Sequence, residues 1–444
     1  VYSSAALALV VIGSLPFCVA RPWIGVLMWS WLSYMNPHRL TWSFAYDAPL
    51  AQLVAIATLV GLPFALKRAS LPKSREVYLL ALLWAVYAAS TLFALYPESA
   101  WERFETVSKI LLMTFLTLLL FQDVRRLKTL LWVVALSIGF FGIKGGIWAI
   151  MTGGQYMVFG PPASFIAGNT EIGLALNMVL PLLLVLRREA SRPWVRHAML
   201  AAFVLCLIAS LMTYSRGALL GLAIVVAALL LRVRAKIALV VLLAVGIAVA
   251  PALIPEHWFT RMDTIATYQQ DESAQTRLTA WGVAYSLALE RPLGGGFRTL
   301  TAEVWSRFVP GWDRHTDAHS IYFQVLAEHG FVGLAVFLAL ILSTLATLRS
   351  VKPDPAREPE LAWLGYWARM LEVAFYAYLV SGAFLGLSYF DLFYQLVAIA
   401  VVLKVLFQRE RARVRERGAP ASMAPAAPRP TSGPLRPLYA GPRS

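Results

Sequence analysis

Apolar residues come in long runs along this chain, separated by short polar stretches, from Ala5 to Phe407. Most runs approach the ~20 residues that, at ~1.5 Å per residue, cross ~30 Å of hydrocarbon as a helix. They are too continuously apolar for barrel strands, whose residues alternate, and backbone groups in lipid must be satisfied within the segment. The pattern predicts an all-α, polytopic integral membrane protein. The candidate spans are Ala5 to Ala20, Pro22 to Met35, Pro49 to Leu66, Val77 to Leu95, Phe104 to Phe121, Thr129 to Ile150 and Thr170 to Leu186. They continue with His197 to Tyr214, Gly217 to Leu231, Ile237 to Ile254, His319 to Leu348, Tyr366 to Leu387 and Asp391 to Phe407. Only Arg21 separates the first two, so they read as two tilted helices or one broken element, and the expected total is about twelve.

Composition agrees with the pattern. The 444 residues are 59% hydrophobic and 14% charged, against roughly a quarter charged in a soluble domain. Cys18 and Cys206 both lie inside apolar runs, so neither a disulfide nor a thiolate metal site is expected. Charge then orients the chain, because Lys and Arg in short loops stay on the cytoplasmic side. One set of loops carries Lys67, Arg68, Lys73 and Arg75, then Arg125, Arg126 and Lys128, then Arg187, Arg188, Arg192 and Arg196. To this set belong Arg232, Arg234, Lys236, Arg349, Lys352, Arg357 and the run from Arg409 to Arg417. The short loops of the opposite set hold only Arg39, Arg103 and Arg216. The net charge of +15 therefore reflects topology and anionic membrane lipids, and no nucleic-acid partner is expected.

Four regions follow: transmembrane helices over 1–255, a large external loop over 256–318, further transmembrane helices over 319–407, and a basic, then Pro/Ala-rich, disordered cytoplasmic tail over 408–444. Within the loop, Leu278, Trp281, Tyr285 and Leu289 share one face of a helix from about Ser273 to Glu290. Pro292 and Gly294, Gly295 and Gly296 end it in a turn. Such a helix would lie along the membrane surface with its apolar face down.

Candidate chemistry gathers at the external side. Arg216 sits in a very short outer turn where positive charge is disfavoured. It is either a snorkelling arginine or an anion site for a phosphate-bearing lipid, since guanidinium grips phosphate bidentately. Arg277, on the same side of the loop helix as Trp281, could reach the headgroup level or remain a solvated boundary residue. His319, at the start of the next span, titrates where a general base must, although an interfacial histidine is also an ordinary helix-start residue. Lys144 lies in the outer half of a span and should face a polar cavity or snorkel outward. Glu328, nine residues into the His319 span, falls opposite His319 on a straight helix and reads as an internal partner that orients it. No zinc spacing, phosphate-binding loop or Asp-x-Asp pair accompanies these groups, so no metal or other cofactor is expected.

Tyr214-Ser215-Arg216-Gly217, Arg277-Leu278-Thr279-Ala280-Trp281, Pro292-Leu293-Gly294-Gly295-Gly296 and His319-Ser320-Ile321-Tyr322, with Glu328 and Gly330, together resemble the O-antigen ligase and polymerase superfamily. Tyr34-Met35-Asn36-Pro37-His38-Arg39-Leu40-Thr41-Trp42 and Gly142-Ile143-Lys144-Gly145-Gly146 resemble its exosortase-associated O-glycosylation ligase branch. The resemblance implies a multi-pass glycosyltransferase of the bacterial inner membrane, active on the periplasmic face without a metal. Its donor would be a glycan on undecaprenyl pyrophosphate, and its acceptor a hydroxyl of lipid A core oligosaccharide. A polymerase or a protein O-glycan ligase is the alternative within the family, and a lipid-linked glycan transporter outside it. By motif, Arg216 and Arg277 match the family's essential arginines and His319 its essential histidine. Arg291 and Arg298 lie near enough to Arg277 to leave open which contacts pyrophosphate, and Lys144, Tyr322 and Arg291 join Arg216 and Arg277 as candidate substrate-binding residues.

Overall fold

Short polar side chains fix several helix starts. Ser74, Asp123, Ser215 and Thr301 each accept a backbone N–H from the first turn that follows, at 3.4, 2.8, 3.2 and 3.4 Å. The computed structural model describes residues 2–42, 44–66, 70–231, 256, 258, 272–312 and 315–418. Its helices are α1 (Tyr2–Ala20), α2 (Pro22–Met35), α3 (Leu50–Leu66), α4 (Arg75–Leu92), α5 (Pro97–Leu120), α6 (Val124–Met151) and α7 (Asn169–Glu189). After them come α8 (Pro193–Leu211), α9 (Arg216–Leu230), α10 (Glu272–Glu290), α11 (Ala302–Phe308), α12 (Ile321–Ser350), α13 (Ala362–Gly382) and α14 (Asp391–Gly418). Among the described residues there is no strand. The expected span Ile237 to Ile254 and the tail beyond Gly418 lie outside the described residues.

Seven of these helices, α1, α4, α6, α7, α8, α12 and α14, are long and apolar enough to cross a membrane; α3 and α9 are apolar but shorter. This is a multi-pass membrane protein. Arg21 separates α1 from α2 as two distinct helices. At 14 residues α2 spans only ~21 Å, short of the hydrocarbon thickness. The helix α5 begins at Pro97, about two turns before the expected span, and that added length carries Glu98, Glu102 and Arg103.

The core gathers around α7 and α14, the most buried of the seven. Asn177 of α7 donates to the Ala218 carbonyl of α9 (2.8 Å) and accepts from Ser210 of α8 (2.7 Å), so one buried amide ties three helices. Against α8, the helix α6 approaches backbone to backbone. A Cβ on Gly146 would lie 2.3 Å from the Leu205 carbonyl oxygen, and one on Gly142 2.4 Å from Cys206 Sγ. Because these glycines face inward, Lys144, two residues from each, is turned to the outside of the bundle. It lies in an apolar surface groove with Phe140, Ile143, Ile147 and Trp148. The polar-cavity expectation for Lys144 thus gives way to the outward, snorkelling one.

The loops sort into two ends. At one, Lys128 pairs with Glu189, Arg349 with Glu372 and Arg411 with Glu358. At the other, Tyr214 donates to Gly154 O (2.6 Å), Asn169 to Thr213 O (2.8 Å) and Leu95 N–H to Gly295 O (2.8 Å). All the candidate residues except Lys144 and Glu328 belong to this second end.

Candidate active site

The turn before Arg216 is held from both sides. Tyr214 is buried in a left-handed conformation (φ 55°), and Ser215 caps α9, leaving Arg216 half-buried as the helix's first residue. A Cβ on Gly217 would lie 3.3 Å from Phe384 Cβ, so this end of α9 is packed against the turn after α13. The same turn reaches the other candidates. Gly382 packs under Ile321, and a Cβ on Gly386 would lie 4.0 Å from the His319 nitrogen.

His319 does not open α12. It stands two residues before Ile321 in a left-handed conformation (φ 44°), half-buried, with Nε2 2.8 Å from Thr316 Oγ1. Trp281 of α10 donates its indole N–H to Ala318 O (2.8 Å) and stacks on Phe323 with centroids 4.8 Å apart. That docking brings Arg277, one turn before Trp281, within electrostatic reach of the imidazole. Burial holds His319 below the usual histidine range; the Arg277 charge pushes in the same direction and Asp317 opposes it. The imidazole is therefore neutral at neutral pH and free to accept a proton.

The helix α10 has the expected bounds, and it packs on the protein through a face other than its bulky apolar stripe. Its protein-facing side is Ala280, Val283, Ala284 and Leu287, set against Val304 and Trp305 of α11. Leu278, Tyr285 and Leu289 are 45%, 50% and 59% exposed, and only Trp281 of that stripe is drawn into the protein. The alanines permit close approach, so the bulkier apolar stripe is left outward.

Arg291 and Arg298 are committed elsewhere. The Arg291 guanidinium donates to the Gly294 and Phe93 carbonyls, tying the glycine turn to the end of α4. Arg298 pairs with Glu102 at 2.8 Å, and its backbone N–H donates to Glu328 (3.0 Å). Of the three neighbours, Arg277 is the one whose charge reaches His319. The Tyr322 hydroxyl donates to Leu379 O (3.1 Å), joining α12 to α13.

The glycine turn has a structural task. At Gly330 (φ 63°, ψ −165°), a region that only glycine occupies readily, α12 is broken, and the turn docks into the break. Gly295 and Gly296 N–H donate to the Ala327 and Glu328 carbonyls, both at 2.9 Å. Glu328 is buried beneath, accepting from the Tyr389 hydroxyl, while His329 bridges Ser90 (2.6 Å) and Tyr389 (2.7 Å). The orienting role expected of Glu328 fits this network, although His319 lies off the helix that served to place the two on opposite faces. Two residues that sequence reasoning passed over belong here as well: Asp317, and Arg103, whose charges act on one another across the site. Arg103 carried the same signal as Arg216, an arginine on the side where arginine is disfavoured.

An all-α bundle with two arginines and a histidine drawn to one end defines the class as a polytopic membrane protein with a polar site at that end. Residues 201–338, which include Arg216, Arg277 and His319, match the family model described as O-antigen ligase, and this match supports the O-antigen ligase superfamily. Residues 4–191 match a family of unknown function (DUF5935). No curated protein matches the chain.

Proposed function

We propose that this protein is an O-antigen ligase of the bacterial inner membrane. It moves a glycan from undecaprenyl pyrophosphate to a hydroxyl of lipid A core oligosaccharide on the periplasmic side. The observation that carries the reading is the proximity of the Arg277 charge to a neutral, half-buried His319, beside the turn against which Arg216 is packed. The loop-charge bias assigns the end with Lys128, Arg349 and Arg411 to the cytoplasm and residues 256–318 to the periplasm.

In the reaction, His319 takes the proton of the acceptor hydroxyl as its oxygen attacks the anomeric carbon. The bond from that carbon to the diphosphate oxygen breaks, and the departing electrons settle on a pyrophosphate held by Arg216 and Arg277. Guanidinium stays charged and binds phosphate oxygens in pairs, so two of them stabilise the leaving charge as it grows. A single displacement inverts the anomeric centre. The outward stripe Leu278, Tyr285 and Leu289 gives α10 an apolar contact with the membrane over the polyprenyl carrier. A protein hydroxyl is the second reading for the acceptor, favoured by the resemblance of Tyr34 to Trp42 to the exosortase-associated branch. Deleting the gene and analysing both glycan pools separates them: loss from lipid A core supports the first, and loss from protein alone the second.

A further inference from the structure

A second recess, largely apolar with a few polar groups in its wall, opens beside this site, built by α2, the start of α3, α5 and the loop after α6. It has a volume of about 420 Å³, and its walls include Trp29, Asn36, His38, Arg103, Ser164 and Phe165. All of these lie in the part of the chain matched to the family of unknown function. The Arg103 guanidinium rests over the Phe165 ring at 4.9 Å and the Tyr389 ring at 5.6 Å. Among the described residues it makes no hydrogen bond or ion pair, so its donors are left for whatever enters. Opposite, Nδ1 of His38 is buried and has no hydrogen-bond partner among the described residues. Asn36 (φ 46°) and Ala163 (φ 53°), both in the wall, hold left-handed backbone, which is strained and persists where the surroundings impose it. Asp317 lies between the two sites, close enough for its charge to act on both His319 and Arg103.

We propose that this recess is a saccharide subsite that selects an acidic sugar, an assignment resting on the glycosyl-transfer reading of the neighbouring site. Arg103 meets the sugar's carboxylate, as a charged, bidentate donor does best. Phe165 and Trp29 cover the apolar face of the ring, and the Asn36 amide oxygen and His38 supply hydrogen bonds to its hydroxyls. The recess therefore reads the glycan, while Arg216 and Arg277 read the diphosphate.

Saturation-transfer-difference NMR on the full chain in phosphatidylcholine nanodiscs tests this with methyl β-glucuronide and methyl β-glucoside as probes. The glucuronide should bind more tightly than the glucoside, and Arg103→Gln should weaken it about tenfold. Phe165→Leu should weaken both probes and serves as the second variant if Arg103→Gln does not fold. Inorganic pyrophosphate should not displace the glucuronide, and His319→Ala should bind it as wild type does. Equal binding of the two probes, indifference to Arg103 and Phe165, or displacement by pyrophosphate or added phosphatidylglycerol would overturn the subsite. Glycan transfer by wild type is scored separately: transfer without glucuronide selectivity removes the subsite alone, and selectivity without transfer removes the ligase reading alone.

Discussion

The proton acceptance proposed for His319 rests on its position. Its backbone lies outside the helix, burial and Arg277 disfavour its charged form, and Asp317 moderates both. Its folded-state titration lies below the ordinary histidine value, so transfer should persist through mildly acidic pH and fade only as the imidazole protonates. Removing the Arg277 charge should move that midpoint to higher pH; NMR titration of labelled histidine in Arg277→Gln checks the sign, and a midpoint that stays or falls counts against the contact. Arg216→Lys should lower kcat by at least ~10-fold, because a point charge does not replace a bidentate fork. Equal turnover in the lysine variant would remove the clamp. That Arg216 and His319 lie at one end of the bundle was legible, because charge or titration range singled them out there. Arg277 was legible as one of three arginines, and only the docking of Trp281 separates it from Arg291 and Arg298. Lys144 was open between a polar cavity and an outward placement, and two inward glycines, not its own charge, decide for the second.

At the scale of elements, the break in α12 organises the end that holds the candidate site. A methyl group at Gly330 would sit 1.9 Å from Pro292 O in a backbone region closed to other residues. Gly330→Ala should therefore cost more than the ~1–3 kcal/mol of backbone strain alone and release the glycine turn. Thermal unfolding in detergent reads the first effect, and proteolysis after Arg291 or Arg298 reads the second; an unchanged melting temperature would contradict the docking. The run Gly294 to Gly296 announced a turn, but the carbonyls it serves belong to a helix break that hydrophobic periodicity does not reveal. Likewise the bounds of α10 were legible from its spacing. Its buried face was not, since Ala280 and Ala284 weigh little in such a pattern and pack closely for that reason.

Across the whole molecule, apolar runs marked the described spans well, because a helix in lipid has no alternative way to satisfy its backbone. They were less informative where a helix is short, as in α2, or extends beyond the hydrocarbon, as in α5. Orientation is testable directly, since Cys18 and Cys206 are buried and offer a low background. Ser306→Cys and Gln408→Cys lie exposed at opposite ends of the bundle. A membrane-impermeant maleimide should label the first in spheroplasts and the second only after lysis, and the reverse pattern would invert the topology.

The central claim is that Arg216, Arg277 and His319 together carry out glycosyl transfer from a lipid diphosphate. Purified protein reconstituted with an undecaprenyl pyrophosphate-linked glycan and lipid A core, in a chelating buffer, tests it most directly. The account predicts undiminished wild-type transfer with inverted anomeric configuration, abolished by His319→Ala. Retention of configuration, or His319→Ala turning over as fast as wild type, would contradict it.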